Sequence, residues 1–376
     1  MENRAITSNE PSEQISTKRW IYLDVCKIVA IFMIVVMNVS SGPWGTVEFM
    51  SGDWHMIGFF NVLSRFGIPL FFMMTGALLL NEEKEMPFKR LFGRHILRLV
   101  TAFLFWSVLN MVIYYFQKAP GGFFSFTIGG FLVGVLEGAP YVHYFIFLSI
   151  SLYLLIPILR AIAQNMQACR YYLILWMIFA FVLPTLRKIP WLVPHLPQLA
   201  QDVLNQTLNA ADRISPTLVI NYAGYLLLGH YIHKTEYTTR KMALYLAGAV
   251  AMFIVAFVLT IHMSARDGAN TEFFMGNFSL PVLCMAIGFM ISMKVLLAKT
   301  WFSSTIYRAT RFFSGVTFGI FLVHDVLRRQ VGRFGVDAFL FTPVLSIPIF
   351  SVAIFVLSAL IVYLLKKIPY IGKYIV

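Results

Sequence analysis

Long apolar runs separated by short polar breaks fill the chain from Trp20 onward. A membrane-spanning helix needs about 20 mostly apolar residues. Runs of that kind lie at 20–41, 56–80, 96–117, 140–163 and 170–187, then at 217–233, 241–262, 279–299, 311–329 and 341–366. The pattern predicts an all-α, polytopic membrane protein of about ten transmembrane helices. A further apolar stretch at 121–138 (GGFFSFTIGGFLVGVLEG) is rich in glycine and reads as an interfacial or re-entrant segment. Residues 1–19 are polar and lack the short apolar core and small-residue cleavage site of a secretory signal. The run from Trp20 is therefore expected to stay in place as the first span. This organises the chain as a polar tail at 1–19, a membrane domain at 20–366 and a short tail at 367–376, with no internal repeat.

Composition agrees. Of 376 residues, 59% are hydrophobic and 12% charged, against roughly 45–50% and about 25% in soluble domains. The formal charge of +13 invites a nucleic-acid reading, but phosphate binding needs Lys and Arg clustered on an exposed domain. Here they punctuate apolar runs, so no nucleic-acid partner is expected. The charge excess has a topological origin instead. With the N-terminus inside, twenty of the 30 basic residues fall on the inner side and eight on the outer. The positive-inside rule then places both termini in the cytoplasm and the chain in a plasma or inner membrane as a multi-pass protein. Three arginines, Arg328, Arg329 and Arg333, sit on the outer side against that rule. The cysteines, Cys26, Cys169 and Cys284, stand at unrelated spacings and suggest neither a disulfide framework nor a metal site.

Ionisable groups inside spans are the candidates for chemistry. In the first span (WIYLDVCKIVAIFMIVVMN), Asp24 and Lys27 are three apart and can share a face. Lys27 and Asn38 are eleven apart, about three helical turns and roughly 16 Å along the axis, so they share that face too. Arg65 lies within the second span and needs a polar cavity or a carboxylate. Lys89, Arg90, Arg94 and Arg98 form a basic cluster at the inner end of the third span. This cluster either anchors the helix or binds a phosphorylated ligand. His143 opens the fourth span, and His324 and Asp325 lie near the outer end of the ninth. Adjacent residues point about 100° apart on a helix, so His324 and Asp325 are not by themselves a coupled dyad. His55 reads as exposed. The chain has no HExxH, GxSxG, Walker or CxxC motif.

Taken together, YLDVCKIVAIFMIVVMN, LSRFGIPLFFMMTGALLL, FKRLFGRHILRLV, VHYFIFLSISLYLLIPILR, NYAGYLLLGHYI and SGVTFGIFLVHDV resemble the acyltransferase family 3 integral membrane proteins, in a short form without an extra soluble domain. The resemblance implies O-acyl transfer, by default O-acetyl transfer. Cytoplasmic acyl-coenzyme A (acetyl-CoA) would be the donor and a hydroxyl of a cell-envelope or extracellular glycan, or a lipid-linked sugar, the acceptor. It implies no bound cofactor and no metal. Lys27 matches the family's basic first-helix position, and Asn38 stands where the family carries histidine. An amide is no base near neutral pH, whereas imidazole titrates there. His143 and His324 both match family positions and could substitute. Asp24, Lys27 and Arg65 would line the donor path, with Arg90, Arg94 and Arg98 near the phosphates. The alternative is a catalytically silent homologue that transports a glycan or lipid-linked sugar, or serves as a partner in an assembly complex. Against transport, the chain lacks the inverted repeats and paired broken helices of many transporters.

Overall fold

In a lipid interior every backbone N–H and C=O must find its partner within the protein, so apolar runs close into helices. The computed structural model describes residues 20–82, 86–117, 127–137, 140–188, 197–203, 206, 222–298, 303–337, 339–369 and 372–375, and among them there is no strand. In chain order the main helices begin with α1 (Ile21–Trp44), α2 (Gly52–Ser64), α3 (Gly67–Leu79), α4 (Phe88–Gln117), α5 (Ile128–Glu137) and α6 (Pro140–Gln164). They continue with α7 (Met166–Leu186), α8 (Ala223–Lys234), α9 (Thr239–Asp267), α10 (Leu280–Ala298), α11 (Ser304–Gly332) and α12 (Pro343–Lys366). Side-chain caps set several starts. Ser51 accepts from Trp54 N, Thr238 from Lys241 N and Ser303 from Ile306 N. Gly268, at φ 66°, ends α9 in the left-handed region that suits glycine.

Among the described residues nine helical stretches are long and apolar enough to cross a membrane, with α2 and α3 forming one of them. The chain is thus an all-α, multi-pass membrane protein. Several helices outrun the apolar runs that predict them. α4 begins at Phe88 rather than 96 and α11 at Ser304 rather than 311, because their polar first turns continue the helix beyond the apolar segment. α5, within the glycine-rich stretch, has ten residues, about 15 Å of rise, half of a hydrocarbon layer.

The span expected at 217–233 corresponds to α8, and residues 217–221 lie outside the described residues. α8 has only twelve residues, about 18 Å of rise, and its contacts run from the Asn38 cavity to the start of α1. Tyr225, near its start, bonds the Asn277 carbonyl in the α9–α10 connection, while His233 near its end meets the Tyr22 hydroxyl at the start of α1. Helix direction supports counting it as a crossing. Ser314 bonds Asp24 and His324 contacts Asn38, so α11 runs parallel to α1. Parallel spans need an odd number of crossings between them, and among the described residues that number is seven with α8 and six without it.

α1 is the central post, touching α2, α3, α10, α11 and α12. Its Leu23, Cys26, Ala30 and Ile34 recur every three or four residues and are buried. α9 is peripheral, and Leu244, Val250, Ile254 and Val258 are each exposed on its surface, as a lipid-facing helix requires. α3 and α8 meet backbone to backbone. A β-carbon at Gly76 would lie 1.9 Å from the Leu226 carbonyl oxygen, and one at Gly229 1.8 Å from that of Met73. Only glycine permits this approach.

Candidate functional site

α1 and α11 lie side by side, and their contact builds the first element of the site. Asn38 Nδ2 lies 3.1 Å from His324 Nε2 and donates to the Ile34 carbonyl at 3.0 Å. The Ile34 carbonyl fixes the amide orientation, because a flipped amide would set two acceptors against each other. His324 Nδ1 faces two carbonyls one helical turn back, Phe321 at 2.6 Å and Ile320 at 3.2 Å. Both are acceptors, so Nδ1 carries the proton and Nε2 holds the lone pair. Nε2 accepts from the Asn38 amide. The neutral imidazole is thereby locked in the tautomer that presents its basic nitrogen beside Asn38.

That nitrogen borders a cavity of about 220 Å³, lined by Asn38, Arg65, Tyr222, Asn277, His324 and Asp325 among apolar neighbours. Arg65 lies at the break between α2 and α3. Its Nε donates to Asn61 Oδ1 at 2.8 Å, and its guanidinium stands 3.6 Å from the Glu272 carboxylate. The expected cavity and carboxylate are both present. His324 and Asp325 share the cavity but are partnered separately. The Asp325 carboxylate holds Arg328 at 2.8 Å and Arg329 at 3.2 Å.

A second cavity, of about 230 Å³, lies toward the other end and is lined by Lys27, His95, Arg98, Tyr153, Thr75 and Phe318. Residues 91–96 of α4 form a π-helical stretch, a device frequent at functional sites. His95 and Arg98, three apart across its end, both face the cavity. His95 stacks on Tyr153 at 5.7 Å, and the Arg98 guanidinium lies 4.8 Å from the Phe318 ring centre. A narrow apolar void of about 40 Å³ lies between the two cavities. It shares Phe145 with the first, and Phe71, Thr75, Leu99, Tyr153 and Phe318 with the second. The void thus shares wall residues with both cavities.

The predicted residues divide accordingly. Asn38, Arg65 and His324 meet at one cavity, and Lys27 and Arg98 at the other. Asp24 is not among the residues lining the Lys27 cavity; its carboxylate accepts from Ser314 at 2.5 Å. Arg90 is exposed in the first turn of α4 and does not line that cavity either. The side chains of Arg94 and His143 lie outside the described residues. His55 bonds the Ser51 carbonyl at 2.7 Å, away from both cavities. His95, Tyr153, Asn277 and Glu272 are additions. His95 could have been found from its three-residue spacing to Arg98, whereas Glu272 carries no such signal. Among the described residues no group of His, Cys, Asp or Glu is arranged to hold a metal ion.

The family model described as an acyltransferase domain matches residues 20–363. No curated protein and no solved structure matches the chain.

Proposed function

Because the chain belongs to acyltransferase family 3, and is on that ground a membrane acyltransferase, we propose that it carries an acyl group, by default acetyl, from cytoplasmic acyl-coenzyme A to a hydroxyl of an envelope glycan. The observation that carries this reading is a pair of cavities that share wall residues with one small void, one cavity cationic and the other bordered by an imidazole. Lys27 and Arg98 suit the donor's phosphates, since charged N–H groups make strong hydrogen bonds to them. The void of about 40 Å³ between the cavities would have to widen to admit the donor's pantetheine arm. Both termini then lie in the cytoplasm, with the His324 cavity toward the outer face of the plasma or inner membrane.

The chemistry runs through His324. The acceptor hydroxyl takes the place of the Asn38 amide at Nε2 and gives its proton to that nitrogen as its oxygen attacks the thioester carbonyl. The new C–O bond forms, the C–S bond breaks, and the proton passes from Nε2 to the departing thiolate. Arg65 lines the same cavity and would offset the charge developing on the carbonyl oxygen. Asn38 holds the imidazole in place until the acceptor arrives and is not the base. No bound cofactor or metal is required.

The donor assignment is tested by measuring acetyl-coenzyme A binding to the purified chain. Arg98→Gln and Lys27→Gln are each expected to weaken it by roughly ten- to a hundredfold, the range for one hydrogen bond to a charged group. Arg90→Gln, on the exposed first turn, is expected to change it little. Wild-type affinity in both cavity variants would overturn the assignment.

A further inference from the structure

We propose that the groove beside His324, lined by Arg328 and Arg329, is an acceptor subsite for an anionic sugar, one carrying a carboxylate or a phosphate. This rests on the acyl-transfer reading and names the class of acceptor. The starting point is an anomaly of the sequence, three arginines on the side that the positive-inside rule leaves poor in them. The structure gives two of them a location. A groove of about 350 Å³ is lined by Arg328, Arg329, Thr46, Gly332, Asp337 and Phe339. It adjoins the His324 cavity, because Asp325 borders that cavity and binds both arginines. Arg328 lies four residues beyond His324, about 6 Å along α11.

The formal charges balance, Arg328 and Arg329 against Asp325 and Asp337, and the room for an anion lies in the guanidinium donors that these carboxylates leave free. Arg328 and Arg329 share the one carboxylate of Asp325, and Arg329 also donates to Asn110 Oδ1 at 2.9 Å. Arg328 Nε is buried with no hydrogen-bond partner among the described residues. A guanidinium presents five N–H donors in a fork that matches carboxylate and phosphate, and Arg328 commits one of its own to Asp325. The rest of the lining suits a sugar ring. Asp337 accepts from Phe339 N at 2.8 Å and keeps lone pairs for hydroxyl groups. The Phe339 side chain is exposed and offers an apolar surface to the ring. β-Carbons at Gly42 and Gly332 would meet nothing within 4 Å, so the groove is open there. The carboxylate and the aromatic ring beside the arginines suit the hydroxyls and the face of a sugar ring.

The test uses the full chain in nanodiscs of neutral lipid and measures binding of a glucuronate oligosaccharide and of its carboxyl-reduced form. The acidic form is expected to bind at least tenfold more tightly, and Arg328→Gln to abolish that preference. Because Arg328→Gln leaves Asp325 with one partner fewer, Gly332→Leu serves as the second variant. It fills the groove, leaves every charge in place, and is expected to abolish binding of the acidic form. Equal affinity for both forms, or unchanged binding in Gly332→Leu, would overturn the subsite. Displacement of the sugar by anionic lipid at low mole fraction would assign the arginines to a headgroup and overturn it as well. Acidic-sugar binding without acyl transfer would leave the subsite standing and remove the enzymatic reading. Transfer that uses both sugars equally would do the reverse.

Discussion

Replacing His324 by Gln is expected to lower acyl transfer by about 100- to 10,000-fold, the range for loss of a positioned general base. The expectation follows from three contacts rather than from the presence of a histidine. Two backbone carbonyls hold the proton on Nδ1, and the Asn38 amide points at Nε2. Gln fills similar space and can still bond Asn38, but it cannot accept a proton near neutral pH. Asn38→Ala should be milder, since it removes an orienting bond and leaves the base. Transfer by labelled acetyl-coenzyme A, with unfolding temperature as the control for folding, separates the two. If Asn38→Ala were inactive and His324→Gln fully active, the roles of the two residues would be reversed.

The largest structural effect is expected at the crossing of α3 and α8. Gly229→Val places its β-carbon 1.8 Å from a carbonyl oxygen of α3, and Gly76→Val does the same in the other direction at 1.9 Å. The obstacle is backbone on both sides, so no side-chain rotation relieves it. The helices must separate, which gives up packing around Phe72, Met73, Tyr225 and Leu226, all of them buried. Overpacking typically costs about 1–3 kcal/mol and occasionally more, and either variant should reach the upper end or fail to accumulate. Gly248 on α9 is the internal control. A β-carbon there meets nothing within 4 Å, so Gly248→Ala should be neutral or stabilising by roughly 0.5–1 kcal/mol. Thermal unfolding in detergent checks both, and similar unfolding temperatures for the Gly229 and Gly248 variants would refute the account of the crossing.

The spans were legible because lipid demands about 20 apolar residues for each crossing, and that demand leaves a plain trace. α8 was the least legible of them, since a short buried helix carries a weaker run. Within the spans, sequence located the polar residues without showing which of them meet. Lys27 and Asn38 share a face of α1 as their spacing requires, yet each opens onto a different cavity. His324 reaches Asn38 across 286 positions, and Arg65, at the break between α2 and α3, approaches Glu272 in the connection between α9 and α10. Such meetings depend on how each helix is turned about its axis. A helix that is apolar on all sides, such as α10, records that turn poorly in its sequence. Arg328 and Arg329 were visible as an exception to the charge rule, and only the fold showed the groove beside them.

Passage of the acyl group across the membrane within this chain is the expected course of the proposed reaction. It is tested most directly in sealed vesicles holding the glycan inside, with labelled acetyl-coenzyme A supplied only outside, on the face carrying Lys27 and Arg98. Label in the trapped glycan, lost in His324→Gln, is the expected result. Transfer that occurs only when donor and glycan share one side would contradict it.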